Sequence, residues 1–396
     1  MIILGIETSC DETALSLIET EGEGKTTKVK ILGNVIHSQI DVHKKYGGVF
    51  PALAKREHAR NLIPLFEKIL KESGLELRIK NQESRKKIKE DVDKTLEREP
   101  ELLKDFLEFI PTIEKPPIDL ISVTYGPGLE PALWVGINFA RALHATWTIP
   151  VIGANHMEGH IVSALLNIDE NSKKEFEELR KIEFPALALL ISGGHTQLVD
   201  IENWQKYKIL GETKDDAVGE AFDKVARILG LPYPGGPEIS RLAKKIRLSH
   251  NSSRFRLPRP MIHTENFDFS FSGLKTAVLY TVKKIPEITD EMREEIAFEF
   301  ENAAADVLLS KTRKALDHTG AKTLIIGGGV IANTHIRKSF ENLAEQQNGL
   351  SLLIAPPHVT TDNALMIALA GYFNFISSKK VHPPEEIIAK GNLALK

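Results

Sequence analysis

The chain has 396 residues, enough for two ordinary domains, and 42% of them are hydrophobic, so sizeable cores can form. A net charge of −3 and a sequence pI near 6.5 exclude an overall cationic field for nucleic acid, so any RNA contact must be a local patch. A single cysteine, Cys10, excludes an internal disulfide and multi-cysteine metal sites and fits a reducing cytoplasm.

The N-terminal run Ile2 to Ile6 is interrupted at Glu7 and lacks a basic flank, so it reads as a strand rather than a signal peptide. No apolar run approaches the ~20 residues of a membrane span. The polar turn from Glu7 to Thr13 separates that strand from a second at Ala14 to Ile18. Its hydroxyls, backbone amides and the carboxylates Asp11 and Glu12 suit phosphate or a metal-bound ligand, or simply an acidic surface hairpin. No local base accompanies Cys10, which reads as an inert thiol.

A third strand is expected over Ile31 to His37. The loop Tyr46 to Pro51 then leads into a helix near Leu53 to Leu70, whose Arg56, His58 and Arg60 read as a solvated face, with a substrate role as the alternative. From about Leu75 to Lys115 the composition shifts to dense Lys, Arg, Glu and Asp. Ile88, Val92 and Leu96, then Leu102, Leu103, Phe106, Leu107 and Ile110, recur at helical spacing and predict an inserted pair of amphipathic helices. A strand at Ile118 to Thr124, the turn Gly126-Pro127-Gly128 and a helix from Ala132 to Ala145 follow, an arrangement that offers backbone amides to an anion.

After a strand at Val151-Ile152, Asn155 is placed to cap a helix carrying His156 and His160. Four residues apart, the two imidazoles share one face and can hold a divalent metal if a third ligand arrives; two satisfied histidines on a half-buried helix fit the same spacing. Glu158 points about 200° away from His156, which disfavours a zincin-type protease.

The second half repeats the plan. Pro185 to Ser192, a Gly193-Gly194 turn and Gln197 to Ile201 make strand, turn, strand; Leu324 to Ile326 runs through Gly327-Gly328-Gly329 into a helix from about Ala332. Two such copies suggest two lobes closing over a nucleotide. Between them a helix is expected from Asp215 to Ala226, with Asp216, Glu220 and Asp223 as one carboxylate stripe able to receive ribose hydroxyls, and Tyr233 to Pro237 as a ligand loop. Arg254, Arg256 and Arg259, interleaved with Phe255 and Leu257, form the best local patch for phosphate or RNA. A last apolar helix, Leu365 to Tyr372, follows Asp362 and Asn363, either of which suits its cap, and Asp362 is a candidate third ligand in a two-His, one-carboxylate set.

These motifs, in order, resemble the TsaD/OSGEP family of tRNA adenosine threonylcarbamoyltransferases. The resemblance is carried by Gly5 to Thr13, Tyr46-Gly47-Gly48, Gly126 to Leu129, His156 to His160, Ser192 to Gln197, Gly219 to Lys224, Tyr233 to Pro237, Phe269 to Lys275, Gly327 to Asn333 and Thr361-Asp362-Asn363. It implies an α/β, two-lobed actin-like ATPase fold, ribonuclease-H-like and duplicated, with nucleotide and metal in the interlobe cleft. The lobes are expected as 1–150, with the charged insertion at about 75–115, and 151–396, with the last helix crossing back. The implied reaction moves threonylcarbamoyl from threonylcarbamoyl-AMP to the exocyclic amine of the adenosine 3′ to the anticodon in tRNAs reading ANN codons, releasing AMP.

Carried across residue by residue, the metal falls on His156, His160 and Asp362, one divalent ion per subunit, with Fe(II) favoured and Zn accommodated. Substrate contacts fall on Leu190, Ile191, Ser192, Gly193 and Gly194 with Asp223, Gly236 and Asn333, a site that ATP or ADP can also occupy. Asp11 and Glu12 are the candidates for the base. Implied partners are tRNA with a TsaB-like paralogue and a TsaE-like ATPase in a bacterium, or the subunits of a kinase-linked complex elsewhere, in the cytoplasm and without a membrane. Two departures stand out: Glu130-Pro131-Ala132-Leu133-Trp134 replaces small residues after Gly-Pro-Gly-Leu, and the insertion alters one side for docking. A nucleotide hydrolase or small-molecule kinase of the same superfamily is the competing reading; a metalloprotease and a non-catalytic scaffold rank behind it.

Overall fold

The structure, a computed structural model, describes residues 1–22, 26–75, 78, 85–167, 175–378, 381 and 383–395, with 85–89 as backbone only. In chain order the elements are β1 (Ile2–Glu7), β2 (Glu12–Glu21), β3 (Lys28–Ser38), α1 (Ile40–His43), α2 (Pro51–Glu72), α3 (Arg85–Thr95), α4 (Pro100–Phe109), β4 (Leu120–Gly126), α5 (Glu130–Trp147), β5 (Val151–Asn155) and α6 (His156–Ser163). They continue with β6 (Glu177–Glu178), β7 (Ala186–Ile191), β8 (Thr196–Asn203), β9 (Lys206–Glu212), α7 (Val218–Ile228), α8 (Gly235–Ser249), α9 (Ser272–Lys283), α10 (Asp290–Thr319), β10 (Thr323–Gly327), α11 (Thr334–Gln346), β11 (Ser351–Ile354) and α12 (Ala364–Ser378).

One sheet runs β5-β4-β1-β2-β3-β6 and the other β11-β10-β7-β8-β9. In each, an antiparallel meander of three strands is joined on its first strand by two parallel ones: β1 pairs antiparallel with β2 and parallel with β4, as β7 does with β8 and β10. The repeat anticipated from the two glycine-punctuated halves is therefore a duplication of sheet topology. Strands covered on both faces must be apolar throughout, and β7 (ALALLI) is buried at every position.

The chain divides into two compact units. The first comprises Met1–His43, Val49–Arg180 and Asp362–Ala394; the second Lys44–Gly48, Lys181–Thr361 and Leu395. This corrects the expected boundary at 150. β5 pairs in parallel register with β4, from Ile121 on Val151 to Thr124 on Ala154, so residues 151–163 belong with the first sheet. The last helix does belong to the first unit. Gly5 lets α12 lie directly on β1, because a Cβ there would meet the Ala364 carbonyl at 2.2 Å, and Gly371 does the same over Ser122 of β4. Ser122 Oγ donates to the Ile367 carbonyl at 2.6 Å and fixes the register of that packing.

The charged stretch forms α3 and α4 as predicted, with Val92, Leu96, Leu102 and Phe106 buried in the core of the first unit and Glu99 paired with Lys55. Ile88 falls among the residues whose side chains lie outside the description, as do 76–77 and 79–84 of that stretch. In the second unit α7 begins at Val218, so Asp215 and Asp216 precede it and the three-carboxylate stripe is not formed. Asp216 instead pairs with Lys224 (2.7 Å) and Lys275 (3.2 Å), and Asp215 accepts from the backbone N–H groups of Phe271 and Ser272 at the start of α9.

The arginine patch is largely neutralised from within. Arg254 pairs with Glu295 and Arg259 with Glu299 and Asp306, all on α10, while Arg256 is exposed. Among the described residues no helix is long and apolar enough to cross a membrane.

Candidate metal and nucleotide sites

Asn155 caps α6 as its sequence position predicts: Oδ1 accepts from the Met157 (2.8 Å) and Glu158 (3.3 Å) N–H groups. The helix is thereby started one residue before His156, and the His156 and His160 rings lie with centroids 4.7 Å apart, edge to face. At the head of α12, Asn363 supplies the cap, its Oδ1 accepting from Met366 N–H at 3.0 Å. That division of labour leaves the Asp362 carboxylate to the histidines. Asp362 Oδ1 is 3.4 Å from His156 Nε2 and 3.2 Å from His160 Nε2, and one ligand atom from each of the three lies within 4.8 Å of the others.

His160 Nδ1 is buried without a hydrogen-bond partner among the described residues, and Nε2 has only the Asp362 carboxylate at 3.2 Å in poor hydrogen-bond geometry, a costly arrangement for a polar ring unless something coordinates it. Two imidazoles and a carboxylate converging on one point suit iron(II) or zinc with open coordination positions. Glu158 points elsewhere, bonded to Asn374 at 3.0 Å.

Behind His156 stands a residue that the sequence reading passed over. Glu7, fully buried at the end of β1, accepts from His156 Nδ1 (3.1 Å), Thr124 Oγ1 (2.7 Å) and the Ser9 N–H (2.5 Å). A carboxylate only accepts, so it holds a proton on Nδ1 and leaves Nε2 to face Asp362, the arrangement that orients most metal-binding histidines. Burial alone would lower the His156 pKa, but Asp362 and Glu7 outweigh it and hold the ring well above the usual imidazole value. Burial likewise works against ionised Asp362, yet His156 and His160 keep it well below the usual carboxylate value. The field at this point favours positive charge.

Asp11 and Glu12 lie in the same unit, close enough to Asp362 to feel its charge. Burial raises both, Glu12 well above the ordinary carboxylate value, and the neighbouring charges of Asp11 and Asp362 push Glu12 up further. Burial, together with Asp11 and Asp362, raises the Cys10 thiol as well, in keeping with an inert cysteine.

The turn carrying this pair rests on His58, which corrects its assignment to a solvated face. His58 is fully buried; its Nε2 donates to the Cys10 carbonyl (3.0 Å), and its Nδ1 accepts from Thr13 Oγ1 (2.7 Å) and faces the Gln39 amide (3.2 Å). That pattern requires a neutral ring, and burial lowers its pKa from 6.5 to about 4. The unfolded chain therefore takes up a proton between pH 6.5 and 4 that the folded chain refuses, so stability rises with pH across this window and falls on acidification. Urea titrations are expected to show about 3 kcal/mol lost from this group by pH 4, with the slope flattened in His58→Gln.

In the second unit the predicted substrate residues surround one set of turns. Leu190 and Ile191 end β7, and beyond them Ser192 Oγ accepts from His195 N–H at 3.1 Å, shaping the turn; Gly193 and Gly194 have open space where a Cβ would stand. Gly219 packs against the Ser192 carbonyl, and Gly328, at φ +97°, against that of Ile191. Asp223 Oδ1 accepts from the Gly235 N–H at 2.7 Å, which fixes Gly236, also bordered by open space, at the start of α8. Asn333 caps α11. Glycines at these approaches bring backbone amides within reach of a ligand.

The sequence profile of "TsaD: tRNA N6-adenosine threonylcarbamoyltransferase" matches residues 30–80 and 97–369. The interruption at 81–96 is narrower than the charged stretch, and it leaves α4 within the match. A tRNA N6-adenosine threonylcarbamoyltransferase of Thermosipho melanesiensis is 42% identical over 372 residues, covering 94% of each chain. Those of Thermosipho africanus (41%, 94% of each chain) and Nitrosospira multiformis (42%, 94% of this chain and 90% of that one) are similar to the same extent. A match over most of the chain to the profile, and over nearly all of it to full-length relatives, places this protein in the TsaD family of tRNA N6-adenosine threonylcarbamoyltransferases.

Proposed function

We propose that this chain transfers the threonylcarbamoyl group of threonylcarbamoyl-AMP to the exocyclic amine of the adenosine 3′ to the anticodon of tRNA. The observation that carries the reading is the His156, His160, Asp362 cluster backed by Glu7, which a sugar kinase or simple nucleotide hydrolase on this fold does not need. A divalent metal held by His156 Nε2, His160 Nε2 and Asp362, with iron(II) favoured over zinc, supplies Lewis-acid polarisation and charge neutralisation when bound.

The chain's own groups do the rest. Amides of Ser192, Gly193 and Gly194 hold phosphate, Asp223 accepts ribose hydroxyls, and Gly236 and Asn333 border the remainder of the adenylate. As the amine nitrogen bonds to the carbamoyl carbon, the carbon–oxygen bond to AMP breaks and AMP leaves with that electron pair. The proton shed by the nitrogen passes to a carboxylate of the Asp11–Glu12 pair. The target adenosine must be splayed from the anticodon loop for this attack. A TsaB-like paralogue with a TsaE-like ATPase, or the subunits of a kinase-linked complex, are the expected partners, and the cytoplasm the expected compartment.

Purified protein given threonylcarbamoyl-AMP, iron(II), substrate tRNA and its partners is expected to yield threonylcarbamoyladenosine in the digested tRNA by mass spectrometry. Nucleotide hydrolysis with no modified nucleoside under these conditions would overturn the reading.

A further inference from the structure

All but one hydrogen of the Asn333 side-chain amide has a partner among the described residues. Its Oδ1 accepts from two backbone N–H groups at the head of α11, those of His335 and Ile336, each at 3.0 Å. One hydrogen of its Nδ2 goes to Glu301 Oε1 at 2.6 Å. Glu301 lies in the middle of α10, fully buried, and its other oxygen is ion-paired with Arg247 at 2.8 Å. Arg247, on α8, stacks on the Phe298 ring at 5.2 Å and donates to Asn302 Oδ1. One buried carboxylate thus ties α10 to the helix that starts at Gly235-Gly236 and to the cap of α11.

An amide has two lone pairs and two hydrogens to offer. Both lone pairs of Asn333 are taken by backbone donors and one hydrogen by Glu301, so the O and N of this amide cannot be exchanged. What remains is a single N–H. We infer that Glu301 is a positioning residue that locks the Asn333 amide as a hydrogen-bond donor toward the bound adenylate, so that the ligand atom it meets is an acceptor: a ring nitrogen or an oxygen of ribose or phosphate. This rests on the reading of the second unit as the adenylate site. It goes beyond that reading in naming Glu301 and in fixing the polarity of the contact.

The test reverses the polarity while keeping the link. Asn333→Asp leaves an oxygen to cap α11 but sets a second carboxylate against Glu301, so the melting temperature and AMP affinity, measured by calorimetry on the full chain, are both expected to fall. Adding Glu301→Gln lets the introduced amide donate to the introduced carboxylate, and the melting temperature is expected to recover. AMP affinity is expected to stay about tenfold or more below wild type, because an acceptor now stands where the donor stood. Recovery of both quantities, or undiminished AMP affinity in Asn333→Asp, would overturn the inference.

If the aspartate variants fail to fold, Asn333→Ser decides: it keeps a capping oxygen but lacks the amide N–H groups, and is expected to lose AMP affinity by about tenfold with a modest fall in melting temperature from the lost bond to Glu301. Unchanged AMP affinity in that variant overturns the inference. Gly193→Val, which fills the open space beside the phosphate turn, separates the two levels. If it abolishes AMP binding while the Asn333 variants do not, only the polarity inference fails; if it too leaves binding intact, the adenylate reading itself fails.

Discussion

Replacing His156 and His160 together with alanine is expected to release the metal and lower threonylcarbamoyl transfer at least about a hundredfold, with AMP binding retained. The two effects separate because the histidines belong to the first unit and the turns proposed for the adenylate to the second. Asp362→Asn should weaken the metal by removing the carboxylate charge that both rings face at 3.2–3.4 Å. Glu7 provides the graded case. Glu7→Gln preserves an acceptor for His156 Nδ1–H but not the charge, and Glu7→Leu preserves neither. Chelator competition is expected to show affinity reduced about 10–100-fold across this pair, the leucine variant being the weaker. Wild-type metal content in the double-histidine variant would sink the assignment of the centre.

Gly371→Ala is expected to destabilise the first unit strongly. The added Cβ would stand 2.2 Å from Ser122 Oγ and 2.4 Å from Ser122 Cβ, so α12 must lift from β4. Overpacking of this kind costs about 1–3 kcal/mol, and the Ser122 to Ile367 hydrogen bond would be lost with it. The urea midpoint should fall accordingly. Combining the substitution with Ser122→Gly removes the obstructing atoms and should restore part of the loss. Gly273→Ala is the control, since its Cβ would meet only Pro260 Cγ at 3.8 Å, and it should match or slightly exceed wild-type stability. Because Asp362 directly precedes the displaced helix, metal affinity should fall in Gly371→Ala and recover with Ser122→Gly.

How much of this was legible in the sequence follows the range of the interactions. Asn155 as a cap, the shared face of His156 and His160 and the strand–turn–strand repeats are local, and periodicity and capping chemistry reported them. The third ligand was legible only as a candidate, from the two-His, one-carboxylate set that Asp362 would complete, because Asp362 is brought to the histidines by the packing of α12. Glu7 went unnoticed as a functional residue although it left a trace: a lone carboxylate closing an apolar strand, with Thr124 and His156 far along the chain. His58 was misassigned against its own signal. It stands four residues before Leu62 and eight before Phe66, on the stripe that α2 buries. The boundary at 150 failed because parallel pairing of β5 with β4 is long-range, and Asp216 left the expected stripe because α7 starts two residues later, at Val218.

The return of the chain to its first unit at Asp362 also governs the order of events on the ribosome. Glu7, His156 and His160 emerge early, but the ligand that completes their set is made only after the whole of Lys181–Thr361 has been translated, on the order of ten seconds or more. Until then the strand faces around Gly5 and Ser122, which α12 later covers, are bare apolar surface, the natural target of a holding chaperone. A chain ending between His160 and Asp362 would carry both histidines and lack the third residue of the proposed centre, so the set can be completed only once synthesis has passed the whole second unit.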